Sequence, residues 1–398
     1  AATVLEVSRD GSTRSFKYWS VKYQPCEMSE EQMIGAVREK LIDSVGLRMR
    51  SDVPLAFCLS GGVDSNSIIA TARKVFDQEC HAFTLMNKDQ RYDEGETVEA
   101  VVEELDVRHT KVFFEQEDFI ENLKTLVDAR MAPISTITYY VHWLLMRSIS
   151  RAGYKVVFSG TGADELFSGY YDHHNLYLAE IYNTKSLYQD AKKSWVNGVG
   201  KFVRNPFLKD PDLFIKRPDF RDHIYLDSSY FASFLKKPWC EEFVEKKYVK
   251  SLLRNRMMNE LFEEAVPVIL HEDDINAMYF SMENRSPFLD RTLYETAYSI
   301  PTNLLIKDGF AKSILRDAMS GIVPRVVLQN PQKIGFNAPL LDALNLNHNK
   351  EFLLDGGKIF DFVKKEKVEE LVKEDRLPNS QSKFLFNFIN IKLLMEAM

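Results

Sequence analysis

The feature that most constrains this chain is the stretch Leu55-Ala-Phe-Cys-Leu-Ser60-Gly-Gly-Val-Asp64-Ser65. A short apolar run ends in Ser60-Gly61-Gly62, and a helical pattern starts at once with Asp64 and Ser65 near its beginning. Read by period, this is a buried strand from Leu55 to Leu59, a glycine turn, and a helix reaching about Phe76. The two glycines let backbone N–H groups approach a ligand with no Cβ in the way. The helix start adds unpaired donors and a partial positive charge, which suits phosphate or pyrophosphate. Asp64 supplies a carboxylate of the kind magnesium shares with phosphate oxygens. A bare Gly-Gly pair would say only that a strand turns into a helix. The stretch also lacks the Gly-Lys-Ser/Thr ending of a Walker loop, so a kinase or GTPase is not the first reading.

The segments that follow define the fold class. His81 to Met86 and Arg108 to Phe113 read as further buried strands, separated by a helix opening at Asp93-Glu94 and running through Leu105. An acidic helix over Glu115 to Met131 and an apolar one over Tyr139 to Arg151 precede a strand at Tyr154 to Phe158. Strands alternating with helices at this spacing predict an α/β fold, a doubly wound parallel sheet with its ligand beyond the carboxyl ends of the strands. Upstream, Ser29 and Gln32 form a capping box for a helix to about Met49. Residues 1–20 read as a β-hairpin, Thr3 to Val7 and Thr13 to Trp19 about an Asp10-Gly11 turn. A free hairpin is marginal in water, so this one is expected to pack on something. The expected organisation is therefore the hairpin at 1–20 and one unit over 21–398. Within that unit, 53–170 is the nucleotide-binding α/β part, and a mainly helical part over 171–398 completes the site.

A second glycine turn closes the strand at Phe158, in Ser159-Gly160-Thr161-Gly162-Ala163-Asp164-Glu165. Two such turns on one sheet would place Asp64 and Asp164 on either side of one metal–phosphate group. Asp172-His173-His174 lacks a third ligand at metal-like spacing and reads as core histidines or a polar helix rim. His271-Glu272-Asp273-Asp274 reads as carboxylates at a helix start. Taken alone, Glu283 and Arg285 fit an internal ion pair, and Lys312 and Lys333 fit solvated lysines.

Composition removes several classes. The net charge of −7 argues against a broad nucleic-acid footprint. No apolar run approaches the roughly 20 residues of a membrane span. The four cysteines, Cys26, Cys58, Cys80 and Cys240, show neither metal spacing nor a disulfide framework. A cytoplasmic, reducing compartment is expected. The oligomeric state is open, a homodimer included.

Taken together, six blocks resemble the synthetase domain of the class B, glutamine-hydrolysing asparagine synthetases, a family that includes β-lactam-forming synthetases. They are SGGVDS (60–65), YDE (92–94), SGTGADELFSGY (159–170), ENRSPFLD (283–290), FAKSILR (310–316) and QKIGF (332–336), in the family's order across most of 20–398. The resemblance implies an ATP-pyrophosphatase (PP-loop) fold that binds ATP and Mg²⁺. Pyrophosphate would lie on Leu59, Ser60, Gly61, Gly62, Asp64 and Ser65, with Ser159, Gly160, Gly162 and Lys333 completing the nucleotide site. The backbone of Phe83, Thr84 and Leu85 would hold adenine, and Asp64 and Asp164 the magnesium. A substrate carboxylate, aspartate in the first reading, would be adenylated with release of pyrophosphate, and ammonia would then displace AMP to leave an amide. Lys312 matches the catalytic lysine, with Glu283, Arg285 and Thr161 as further catalytic candidates.

Two departures bear on this. The chain begins at Ala1, no cysteine precedes Cys26, and residues 1–20 resemble the hairpin that joins the family's glutaminase domain to the synthetase half. The ammonia source is thus expected to be a glutaminase domain or a separate subunit. Position 161 is Thr, where asparagine synthetases usually carry Glu and β-lactam synthetases Tyr. Thr does not ionise at neutral pH and so cannot pair by charge with the α-ammonium of aspartate. Another carboxylate, such as a uronic-acid sugar, competes for the acceptor role, and a nucleotide-binding protein that has lost catalysis is the third reading.

Overall fold

The architecture follows from where the apolar strands can be covered on both faces. A computed structural model describes residues 2–397, apart from 21, 87–93, 114–117, 225–226, 240, 242, 333–339, 341–343, 345 and 375–378. Strands β3 (Leu55–Cys58), β4 (His81–Met86), β5 (Arg108–Phe113), β6 (Val156–Phe158) and β7 (Glu283–Arg285) form one sheet in the order β5-β4-β3-β6-β7. Every neighbouring pair is parallel. Side chains alternate across it as a period of two requires. Leu55, Phe57, Val156 and Phe158 enter one core, and Ala56, Phe83 and Val157 enter another on the opposite face.

Helices cover both faces. On the first lie α1 (Glu30–Arg48), α2 (Val63–Lys74) and α3 (Gly95–Leu105), with α13 (Arg291–Ala297) and α14 (Ser313–Ala318) packed against α1. On the second lie α4 (Phe119–Arg130), α5 (Ile137–Arg151) and α12 (Ala265–Met278), joined by the closing helix Asn379–Ala397, which packs on α4. The intervening region holds α6 (Ala163–Phe167), α7 (Tyr171–Ile181), α8 (Lys185–Asn197), two short helices, α9 (Leu213–Lys216) and α10 (Ser228–Ala232), and α11 (Leu252–Phe262). The predicted capping box at Ser29 and Gln32 is present and starts α1. Asp93 and the blocks at 92–93 and 333–336 lie outside the described residues. Among those residues no helix is long and apolar enough to cross a membrane.

Three expectations need correction. The hairpin forms, from β1 (Thr3–Val7) and β2 (Thr13–Lys17), but all ten strand residues are exposed. What packs on the core is the chain just after it, where Trp19 sits 5.3 Å from the Tyr294 ring and 5.9 Å from that of Phe262. The acidic run at 271–274 is not a helix start, because α12 begins six residues earlier at Ala265 and buries Glu272 and Asp273 in its later turns. Asp172 and His173 do meet a third potential ligand, since Glu260 lies across from them with all three buried. Arg256 Nε stands 3.0 Å from Glu260 and 3.6 Å from Asp172. His223 is 3.3 Å from Asp172 and His173 2.7 Å from Glu260, so the cluster is a buried ion-pair network.

Candidate active site

The two glycine turns meet at the carboxyl edge of the sheet. Leu59 N–H donates to Phe83 O at 2.9 Å and Ser159 N–H to Arg285 O at 3.0 Å, so each turn starts directly from the strand ladder. In the first turn Ser65 Oγ accepts from Ser60 N–H at 3.1 Å. Asn66 Nδ2 donates to Ser60 O and Gly62 O at 2.8 and 2.7 Å. These side chains hold the turn in shape before any ligand arrives. Gly62 caps α2 and has no side chain to cover the first-turn amides, which leaves them to an anion.

Gly160 lets the turns touch. A Cβ on it would come 2.9 Å from Asp64 Cβ and 3.1 Å from Ser65 N. Above them stands Lys312, whose Nζ donates to both oxygens of Asp64 at 2.6 Å and pairs with Asp164 Oδ1 at 2.6 Å. The lysine is buried, and the two aspartate side chains are 17 and 15 % exposed. Lys312 reaches them from a left-handed backbone, φ 56° and ψ 34°, immediately before α14. A non-glycine residue pays for that conformation, and such strain gathers where geometry is over-determined. Gly169 permits the approach from the other side, because a Cβ there would lie 1.7 Å from Asp164 Oδ1 and 2.4 Å from Lys312 Cε.

Thus Asp64, Asp164 and Lys312 come together with Ser60, Gly61, Gly62, Ser65, Ser159, Gly160 and Gly162 around one edge. Phe83, Thr84 and Leu85 occupy β4 beside β3, with Phe83 fully buried and the Thr84 hydroxyl buried without a partner among the described residues. Glu283 and Arg285 are not brought into this cluster. Arg285 Nε donates to Glu283 at 2.8 Å, and its Nη1 donates to the carbonyls of Arg48 and Arg50 at 2.5 and 3.0 Å, tying β7 to the end of α1. Lys333 lies outside the described residues.

Three carboxylates escaped the sequence reading. Glu94 packs over Gly61, where a Cβ would meet its Oε1 at 3.1 Å. Glu165 is buried next to Asp164 and accepts from Tyr170 O–H at 2.5 Å; burial first, and the Asp164 charge second, push its carboxyl up. Both sat inside motifs already noted. Asp273 sat in the acidic run read as a helix start; it accepts from Thr161 Oγ1 at 3.2 Å and lies 3.5 Å from His142 Nδ1. Burial raises its pKa, against the opposing effects of His142 and the Thr161 hydrogen bond.

A doubly wound sheet with two glycine turns at its carboxyl edge, and two aspartates joined by a lysine above them, is an α/β domain of the PP-loop type. The family model described as asparagine synthase matches residues 36–396, and the chain belongs to that family. It is 25% identical over 397 residues to asparagine synthetase [glutamine-hydrolyzing] 1 of Bacillus subtilis (strain 168), covering 94% of this chain and 61% of the relative. Asparagine synthetase [glutamine-hydrolyzing] 3 of the same organism is 26% identical over 342 residues, 82% of this chain and 52% of the relative. A protein named amidase chyE of Penicillium rubens is 24% identical over 362 residues, 77% of this chain and 53% of its own length. The chain therefore spans between half and two thirds of the length of these relatives.

Proposed function

We propose that this chain is the adenylating, amide-forming part of an ATP-dependent amidotransferase. The observation that carries the reading is the convergence of Asp64, Asp164 and Lys312 over two glycine turns. Two carboxylates sharing one face, both partly open to solvent, are hard oxygen donors that fit Mg²⁺. Asp64 and Asp164 would hold the ion, which when bound neutralises charge on the departing pyrophosphate.

The chain's own groups do the rest. The first-turn amides of α2 and the Ser60–Ser65 turn bind and orient the pyrophosphate, and Lys312 adds positive charge where the leaving group develops its own. The β4 backbone at Phe83–Leu85 holds adenine beside β3. A substrate carboxylate then forms a bond to the α-phosphorus as the bond to pyrophosphate breaks, and ammonia later displaces AMP from the acyl carbon. A glutaminase domain or subunit, the activity named in the B. subtilis relatives, supplies that ammonia.

The acceptor in the first reading is aspartate, giving asparagine. Thr161, which carries no charge, favours the second reading of a different carboxylate such as a sugar uronate. Pyrophosphate exchange into ATP, measured with L-aspartate and D-glucuronate separately, tests both. Exchange with aspartate establishes the first, and exchange with the uronate alone establishes the second. ATP binding without AMP formation from any carboxylate would overturn the enzymatic reading in favour of a nucleotide-binding protein.

A further inference from the structure

Thr161 is a half-buried hydroxyl in the second turn, and its hydrogen bonds are directional. A hydroxyl has one proton and two acceptor sites. Asp273, when ionised, only accepts, so the Thr161 proton points to Asp273 Oδ2 at 3.2 Å. Ser159 Oγ stands 3.2 Å from Thr161 Oγ1, and Ser286 Oγ 3.2 Å from Ser159 Oγ. With the Thr161 proton committed, Ser159 must donate to Thr161, and Ser286 to Ser159. Three hydroxyls thus run head to tail into one carboxylate. Thr161 is left with one acceptor site and no free donor, half-exposed and next in sequence to the Gly160 that touches Asp64.

Asp273 itself is nearly sealed, at 6 % exposure. Asn284 Nδ2 approaches the same oxygen at 3.4 Å from β7. His142 and Tyr139 face it from α5 and Cys58 from the end of β3, and on its own helix Glu272 is paired with Arg130 of α4. Among the described residues no lysine or arginine stands at ion-pair distance from it, and the nearest basic ring is the His142 imidazole at 3.5 Å. A buried acid of this kind is costly unless it is used or satisfied, and it communicates with the cleft through Thr161.

We propose that Asp273 and Thr161 form a proton relay for the amine: Thr161 takes a proton from the attacking nitrogen and hands its own to Asp273. The inference rests on the amide-forming reading above. In the step, the ammonia lone pair forms the C–N bond and the acyl carbon's bond to the AMP oxygen breaks. The N–H proton moves to Thr161 Oγ1 as the Thr161 proton moves to Asp273, so the products are amide, AMP and a protonated carboxyl. Asp273 acts through Thr161 and is a positioning residue, whereas Thr161 touches the reacting atom.

The test separates the two half-reactions in the chain as it stands, with Mg²⁺, ATP, ammonium chloride and whichever of L-aspartate or D-glucuronate supports exchange. Asp273→Asn should leave pyrophosphate exchange within about twofold and lower amide formation by about 10²-fold, the usual size of a general-base effect. Thr161→Val should lower amide formation by a similar factor, Thr161→Ser should restore most of that rate, and in amide formation the double variant should be no worse than Thr161→Val alone. With rates expressed per concentration of free ammonia, the acid limb of the amide-forming pH profile should disappear in Asp273→Asn, and hydroxylamine, a weaker base that sheds its proton more readily, should suffer less than ammonia. Unchanged amide formation in Asp273→Asn, or equal loss of exchange and amide formation, would overturn the relay alone. A wild-type chain that exchanges with neither carboxylate overturns the amide-forming reading and the relay with it.

Discussion

Replacing Lys312 removes the cation that Asp64 and Asp164 share, and the size of the effect can be worked from the contacts. Coulomb attraction at 2.6 Å is roughly 6 kcal/mol per pair at an effective dielectric near 20, and desolvation of the lysine opposes most of it. Removing one member of a buried ionic cluster typically costs about 3–5 kcal/mol, because the partners are left uncompensated. Here the carboxylates keep 17 and 15 % of their surface, which places Lys312→Ala at the lower end, about 3 kcal/mol. The backbone gives an internal control. Lys312 is left-handed, φ 56°, a conformation glycine adopts without penalty, so Lys312→Gly recovers about 1 kcal/mol of strain while losing the same charge. Urea unfolding followed by circular dichroism in magnesium-free buffer should therefore rank wild type above Lys312→Gly above Lys312→Ala. Both variants should lose pyrophosphate exchange by at least about 10²-fold. An alanine variant as stable as wild type, or a glycine variant less stable than the alanine one, would refute the account.

Three further outcomes are expected. Gly169→Ala should fold, since its new methyl meets only the ends of Asp164 and Lys312, yet exchange should fall by about 10²-fold as the carboxylate is pushed aside; wild-type exchange would contradict this close approach. Asp64→Asn should abolish adenylation and lower the urea midpoint by less than Lys312→Ala does, because the buried Lys312 keeps Asp164 as a charged partner. His174 is buried, and burial, helped by the charge of His173, lowers its pKa from 6.5 to about 3. Its neutral form is favoured in the folded state, so its contribution is complete above pH 6.5 and is lost on acidification towards pH 3, at up to about 1.4 kcal/mol per unit. His174→Phe should flatten the urea-midpoint profile between pH 6.5 and 5; an unchanged slope would assign the acid sensitivity elsewhere.

Much of the sheet was legible because its strands are apolar runs between turn residues. His81–Met86 and Arg108–Phe113 have the predicted ends, and the two glycine turns lie where the strands stop. β7 was not legible. Glu-Asn-Arg carries neither apolar content nor alternation, and it becomes a strand because β6 offers it a ladder. Asp273 was misread for a related reason. A cluster of acids resembles a helix start, but α12 opens without a side-chain cap in an apolar run, with Pro267 in its first turn. Partners on α4, α5 and the second glycine turn hold two of those acids inward. The meeting of Lys312 with Asp64 spans 248 residues, and no local pattern encodes a distance of that kind.

That last strand also bears on how the protein is made. β6 and β7 belong to turns joined by Ser159 and Ser286, 127 residues apart. Four of the five strands are complete once Phe158 has been synthesised, while the fifth waits for Arg285. At about 5–20 residues per second the ribosome takes on the order of ten seconds to deliver it. Through that interval the Val156-Val157-Phe158 edge is a bare apolar ladder of the sort that recruits foreign strands. The time spent translating 160–282 sets how long that edge stays uncovered, a quantity separate from the stability of the finished fold.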